Sequence, residues 1–153
     1  MAAVIGLPAR IMQVSGSADR AFATAEAALL RHHWTVRKRV TDVSALYECG
    51  SSIGRLTSGS GLDVLPGALG RFFSHDYATL SVSDGGDPGT SVVTMAVSRG
   101  SSQSAEFPAA LSDLIASFTE AGVLISAGSD IPARTLPADS FCSPANIARL
   151  LAD

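Results

Sequence analysis

The chain has 153 residues, of which 46% are hydrophobic and 16% charged, and its formal net charge is −3. This length and composition predict a globular chain with one hydrophobic core and exclude a disordered one. A net negative charge gives no chain-wide electrostatic basis for binding nucleic acid, so we do not expect nucleic acid as a partner. Ten arginines accompany the single lysine, Lys38, and with the many alanines this bias indicates a GC-rich, bacterial genome.

The sequence predicts a cytoplasmic protein. No apolar run approaches the roughly 18 residues of a membrane span. The N-terminal residues lack the basic and long apolar regions of a signal peptide, so we expect a cytoplasmic location and no membrane span. Cys49 and Cys142 lie far apart without a metal-binding spacing, which favours two reduced, packed thiols over a single disulfide.

A strand and a helix are predicted first. The apolar run at 10–14 predicts a short strand, and Ser17 is placed to cap a helix that ends near His32. The apolar residues of this helix recur at three- and four-residue spacing, which is typical of one buried face. The predicted face consists of Phe22, Ala25, Leu29 and either Leu30 or His33.

A hairpin is predicted next, because apolar and polar residues now alternate with a period of two. Its first strand extends from Trp34 to Val40 and its second from Val43 to Cys49. The alternation predicts that each strand buries one side. In the first strand the inward set is Trp34, Val36, Lys38 and Val40, and the outward set is Thr35, Arg37 and Arg39.

The middle of the chain, Gly50–Gly70, is rich in glycine and serine but also contains apolar residues. We interpret it as a long loop that is either a lid or a loop that packs its leucines onto the core. Regular elements are predicted after it: strands at 77–82 and 91–98 with a turn at 84–89 between them, a helix at 105–121 and a short strand at 123–125.

Residues 128–153 are predicted to be an extended tail that follows an α+β domain at 1–127. Ser143 and Pro144 provide the start of a short terminal helix, which is too short to be stable without a surface to dock on. The order of elements predicts an α+β, two-layer sandwich: an antiparallel sheet of about five strands with two helices packed on one face.

The sequence contains no metal-binding, nucleotide-binding or nucleophile-elbow motif, so no cofactor and no metal are predicted and the catalytic residues stay unknown. The candidate ligand-binding residues are the polar groups nearest the long loop and two of its leucines: Glu48, His75, Tyr77, Leu62 and Leu65. A third hypothesis is a weak contact with a membrane surface or with nucleic acid, for which the candidate residues are the three consecutive cations Arg37, Lys38 and Arg39.

These features favour a non-catalytic binding or protein-interaction module. We expect its partner to be another protein or a second copy of the chain, bound through the C-terminal tail, with a small apolar ligand as a further option. The alternative is a small enzyme or carrier that holds a hydrophobic molecule in an apolar pocket beneath residues 50–70. Neither the ligand nor the reaction follows from the sequence.

Overall fold

The computed structural model describes residues 6–50, 75–99 and 106–152. Within these ranges the chain forms one seven-stranded antiparallel sheet and three α-helices, which confirms the predicted α+β sandwich. Most of the predicted long loop, residues 51–70, lies outside the described residues. In chain order the elements are β1 (Pro8–Ser15), α1 (Ala18–Arg31), β2 (Thr35–Thr41), β3 (Ser44–Gly50), β4 (His75–Asp84), β5 (Thr90–Arg99), α2 (Glu106–Glu120), β6 (Leu124–Ser126), β7 (Ile131–Pro132) and α3 (Ile147–Ala152).

The strands are arranged in the order β2-β3-β4-β5-β1-β6, and β7 also pairs with β1. The sheet contains the predicted strands, including the short one at 123–125 as β6, but it has seven strands instead of about five because β6 and β7 extend it beside β1. Within the described residues, β2 pairs with β3 alone, so β2 forms one edge of the sheet. The other edge belongs to β6 and β7.

Both long helices pack on one face of the sheet, as predicted. The side chain of Ser17 caps α1 by accepting a hydrogen bond from the backbone N–H of Arg20. Leu29 completes the buried face of α1, whereas Leu30 is 48% exposed and His33 is also exposed. Neither of the two alternatives for the last position of that face is therefore buried. The largest fully buried side chains of the helix-side core are Trp34, Tyr47, Phe118, Met12, Leu29, Leu80, Met95 and Leu114.

The opposite face of the sheet is covered by the C-terminal segment, residues 128–152, which we call the strap. Ala9 and Ala96 are cross-strand partners on β1 and β5, and the strap packs Leu136 and Cys142 against them. Further along, Ile147 and Leu150 of α3 pack with Leu46 of β3. The predicted tail thus has its docking surface on the sheet of its own chain.

Strand β2 departs from the predicted alternation. Its pairing with β3 shifts register twice, between Val36 and Lys38 and between Arg39 and Thr41. At each shift β2 has one residue more than β3, as in a β-bulge, which changes the face that the following side chains occupy. Trp34 is buried as predicted, but the inward positions predicted for Val36 and Val40 are wrong: the two side chains are 40% and 43% exposed.

Both cysteines are free and buried, which confirms the predicted reduced thiols. Cys49 belongs to the helix-side core, whereas Cys142 lies in the strap, where its Sγ is 3.4 Å from the backbone oxygen of Thr94. Burial raises the pKa of Cys142 to about 12, so its thiol keeps its proton over the physiological range.

Candidate functional site

Two of the predicted ligand-binding residues, Glu48 and Tyr77, are direct cross-strand partners on β3 and β4. Both are half-buried. They lie on the strap side of the sheet, because they alternate with residues of the helix-side core. Tyr77 packs against the cluster that contains Leu46 and the α3 residue Leu150. The β3–β4 register therefore brings a carboxylate and a phenol together beside an apolar patch.

The other predicted ligand-binding side chains lie outside the described residues. The backbone of His75 begins β4 and pairs with Gly50, but its side chain is not described. Leu62 and Leu65 belong to the segment that is not described at all. The alternative function, an apolar pocket beneath residues 50–70, depends on these positions and stays a prediction.

The Glu48–Tyr77 pair can donate and accept hydrogen bonds, which is enough to orient a polar group of a ligand. Both side chains already have interactions within the folded chain. Helix α3 also covers the neighbouring Leu46. A ligand at this place would therefore displace contacts that the chain makes with itself. Among the described residues, no group of three or more His, Cys, Asp or Glu side chains could hold a metal ion.

A different surface, along the sheet edge at β2, exposes apolar side chains. Val36 and Val40 are 40% and 43% exposed, and Leu30 of α1 is 48% exposed. Leu30 lies one helical turn beyond Glu26, which contacts Arg39 of β2, so Leu30 belongs to the side of α1 that borders β2. We name this region the β2 surface, and it consists of Leu30, Val36, Arg37, Arg39 and Val40.

Arg39 is held against α1 by a polar network that the sequence did not predict. Its Nη2 donates to both carboxylate oxygens of Glu26, at 3.0 and 2.8 Å, and its guanidinium lies 5.5 Å from the centre of the Phe22 ring. The buried Tyr47 donates its hydroxyl to the same carboxylate. Burial, followed by this hydrogen bond, raises the pKa of Tyr47 well above its usual value. The network therefore fixes Arg39 over the helix layer with its charge compensated.

The other two cations of β2 have different surroundings. Arg37 is exposed, and its side chain forms no hydrogen bond or ion pair with any described residue. Lys38 is half-buried and has an interaction of its own within the chain. Of the three predicted surface-contact residues, Arg37 is thus the one whose charge is most accessible to a partner.

A second charged cluster connects the two long helices. Asp113 of α2 accepts a hydrogen bond from Nε of Arg31 at 2.8 Å and lies 3.1 Å from Nε2 of His32. The hydrogen bonds from Arg31 and then from His32 hold the pKa of Asp113 below its usual range. Because these groups are engaged with one another, we assign the cluster to helix packing. A lone sequence could not reveal it, since the acid comes from a distant helix.

The turn between β4 and β5 borders an open depression of about 400 Å³. Its groups mostly bond to one another: Gly85 N–H donates to the backbone oxygen of Thr90, and the Thr90 hydroxyl donates to the backbone oxygen of Asp87. These are the internal hydrogen bonds of a tight turn, as the sequence predicted for these residues. We do not assign a function to this depression.

The structure thus offers two candidate places, the Glu48–Tyr77 pair under the strap and the exposed β2 surface. Sequence reasoning missed Leu30 as a part of the β2 surface, and it missed Glu26 and Tyr47 as the groups that hold Arg39 there, because contacts between helix and sheet bring these residues together. None of the helices in the described ranges is both long and apolar enough to cross a membrane. Comparisons with protein-family models, with curated proteins and with solved structures found no significant match for this chain.

Proposed function

We propose that this chain is a non-catalytic protein-interaction module that contacts its partner through the β2 surface. One observation carries the proposal. Five large hydrophobic side chains are exposed among the described residues, and three of them, Leu30, Val36 and Val40, belong to the β2 surface. The other two are Ile11 and Ile125. Exposed apolar side chains that cluster at one place are a common feature of protein-binding surfaces.

The position of β2 adds to this argument. An edge strand presents backbone N–H and C=O groups on its outer side, and another chain can pair with them. Six of the seven residues of β2 are exposed and the seventh, Lys38, is half-buried. A partner that bound here would gain backbone hydrogen bonds and cover Val36 and Val40 at the same time.

The C-terminal tail supports this role less well than the sequence suggested. A partner or a second copy bound through the tail was predicted because the apolar residues of the tail need a surface. In the structure Leu136, Ile147 and Leu150 pack on the sheet of the same chain. The apolar side chains left for a partner to cover therefore lie at β2 and not in the strap.

The test is a selection of peptides from a displayed library of random twelve-residue sequences on the purified protein. Enriched peptides are synthesised, their affinities measured by fluorescence anisotropy, and their contacts mapped by amide chemical shifts. We expect them to perturb β2 and the end of α1. The double variant Val36→Thr and Val40→Thr should bind about tenfold more weakly, because two apolar contacts are lost while strand propensity is kept.

The matched control changes the other exposed aliphatic side chains, Ile11→Thr and Ile125→Thr, whose exposures are 38% and 54%. This variant should bind the peptides as the original protein does. The proposal is wrong if no peptide is enriched, or if the enriched peptides map elsewhere. Equal losses of affinity in the two double variants would also overturn it, since the β2 surface would then have no special role.

A further inference from the structure

We infer that the partner is an extended segment of a different protein, which pairs with β2 as an additional strand and places a carboxylate at Arg37. This inference rests on the proposed function and specifies the kind of partner. Three properties of β2 carry it: its length and exposure at the sheet edge, its symmetric charge pattern, and the different surroundings of Arg37 and Arg39.

The geometry suits an extended segment. Strand β2 has seven residues, and at roughly 3.3 Å per residue it offers an edge of about 20 Å. This is the length of an ordinary strand, so a partner of five to seven residues could pair along it, with interruptions at the two register shifts of β2. Val36 and Val40 lie near the two ends of this edge and can each cover an apolar side chain of the partner.

The sequence of β2 disfavours a second copy of the chain as the occupant. Residues 35–41 read T-V-R-K-R-V-T, which is the same in both directions. Two copies paired antiparallel about a twofold axis at Lys38 would therefore oppose Lys38 with Lys38, and Arg37 with Arg39. Like charges at directly opposite positions destabilise a strand pair. The palindrome thus selects against self-pairing and for a partner of opposite charge.

The surroundings of the cations show where that opposite charge belongs. The guanidinium of Arg39 already forms an ion pair with Glu26, with 2.8 Å between Nη2 and Oε2, and it lies over the ring of Phe22. Arg37 has no such compensation from any described residue. A partner carboxylate therefore gains a new charge-assisted hydrogen bond at Arg37, whereas at Arg39 it has to compete with Glu26.

Nucleic acid fits this surface less well than an acidic peptide. Single-stranded nucleic acid binds where aromatic rings stack on bases beside a basic groove. The aromatic residues near these cations offer no such ring, because Trp34, Phe22 and Tyr47 are only 1%, 4% and 0% exposed. The exposed neighbours of Arg37 are instead the aliphatic residues of the β2 surface, which suit a peptide.

The test uses three synthetic peptides of equal length. Each alternates threonine or valine with one polar residue, which is glutamate in the first peptide, glutamine in the second and lysine in the third. Their affinities are measured at low and high salt, together with the amide hydrogen exchange of β2. We expect the glutamate peptide to bind about tenfold more tightly than the glutamine peptide, as one charge-assisted hydrogen bond implies. We also expect it to slow amide exchange along β2, as an added strand requires.

The variant Arg37→Glu should reverse the preference, so that the lysine peptide binds better than the glutamate peptide. Arg149→Glu is the matched control, because it makes the same change in net charge at an exposed residue of α3. It should leave the order of affinities unchanged. Glu26→Gln removes the carboxylate that competes for Arg39, and it should strengthen binding of the glutamate peptide a few-fold.

Several results overturn the inference while leaving the proposed function intact. One is that library peptides bind at β2 but the glutamate and glutamine peptides bind equally. Another is that Arg37→Glu and Arg149→Glu weaken binding to the same extent. A dimer in sedimentation experiments that Val36→Thr and Val40→Thr dissociate would show that the occupant is a second copy. Tighter binding of single-stranded DNA or of anionic vesicles than of the glutamate peptide would overturn it as well.

Discussion

The two edges of the sheet are completed in opposite ways. Beyond β1 the chain returns twice, as β6 and β7, and both short strands pair with β1. Beyond β2 no described strand follows. Each edge has an arginine–carboxylate pair at 2.8 Å, but Arg10 is bonded to Asp130 in the strap, whereas Arg39 is bonded to Glu26 in α1.

This difference shows how one kind of contact can close an edge or leave it open. At β1 the ion pair connects the strand to the segment that pairs with it, so the backbone groups of β1 are covered although Ile11 and Ile125 stay 38% and 54% exposed. At β2 the ion pair connects the strand to a helix behind it. The outer side of β2 therefore keeps its exposed valines, and an edge of this kind attracts another strand.

The largest effect is expected at the closed edge, where Gly128 begins the strap. Its φ is +65°, and a Cβ there would lie 2.2 Å from the backbone oxygen of Ile11. Gly128→Ala should lower the free energy of unfolding by about 3 kcal/mol, because left-handed strain is added to a backbone clash. Urea unfolding followed by circular dichroism measures this loss.

The control separates the clash from the strain. Gly89 has a φ of +76°, but a Cβ there would meet nothing within 4 Å. Gly89→Ala should therefore cost only about 1 kcal/mol, which is the strain alone. If the two variants lose the same free energy, the tight approach of the strap to β1 does not contribute to closing this edge.

The network behind the open edge is expected to give the next largest effect. Tyr47 is fully buried and donates its hydroxyl to Glu26. Tyr47→Phe should cost about 1–2 kcal/mol at neutral pH, because the carboxylate loses a donor in a partly buried place. The same change in a Glu26→Gln background, where the carboxylate is absent, serves as the comparison.

The pH dependence of the Tyr47 contribution has a definite sign. Its pKa in the folded protein is raised, by burial first and by Glu26 second, above the value of about 10 in an unfolded chain. The stabilisation is therefore fully present below about pH 10 and is lost as the pH rises further. Urea midpoints between pH 8 and 11 should fall less steeply for Tyr47→Phe.

A second group contributes to stability in the same range and has to be removed for this measurement. Burial raises the pKa of Cys142 to about 12, so its thiol also loses its stabilising contribution as the solution becomes alkaline. Both proteins are therefore compared in a Cys142→Ala background. Equal slopes in that background would show that the Tyr47 hydroxyl titrates alike in the folded and unfolded chains.

The fold could be predicted from sequence in the elements whose apolar residues recur at a regular spacing. Phe107, Leu111 and Phe118 repeat at helical spacing, and they are buried on α2 as that spacing requires. The β4–β5 hairpin followed from alternation in 77–82, β-branched residues in 91–98 and the glycine-rich turn between them. In these elements each residue depends mainly on its neighbours along the chain.

The prediction failed where the outcome depended on distant residues. Val36 and Val40 fit the alternation of a buried strand but are exposed, because Val36 lies opposite Tyr47 on an edge strand and Val40 falls at the second register shift against β3. The strap docks on Ala9 and Ala96, and two alanines give no sequence signal that they form a platform. For the candidate site, the Glu48–Tyr77 pairing depends on strand register, which a single sequence does not fix.

A double-mutant cycle at the open edge tests whether Glu26 really holds Arg39. The single variants are Glu26→Gln and Arg39→Met, and the double variant completes the cycle. We expect a coupling free energy of about 1 kcal/mol, at the upper end for exposed pairs, because Arg39 contacts both carboxylate oxygens. A coupling close to zero would show that Arg39 is free to meet a partner, and the selectivity assigned to Arg37 would then be shared.

The same cycle at the closed edge, with Arg10→Met and Asp130→Asn, should give the smallest effect. Arg10 directs Nε and Nη2 to a single oxygen of Asp130, at 3.1 and 2.8 Å, and the side chain of Asp130 is 48% exposed. Solvent screens such a pair, so we expect a coupling of about 0.5 kcal/mol that decreases in 1 M salt. A larger coupling than at Glu26–Arg39 would reverse the comparison, because the exposed ion pair would then hold the strap on β1 more firmly than Glu26 holds Arg39.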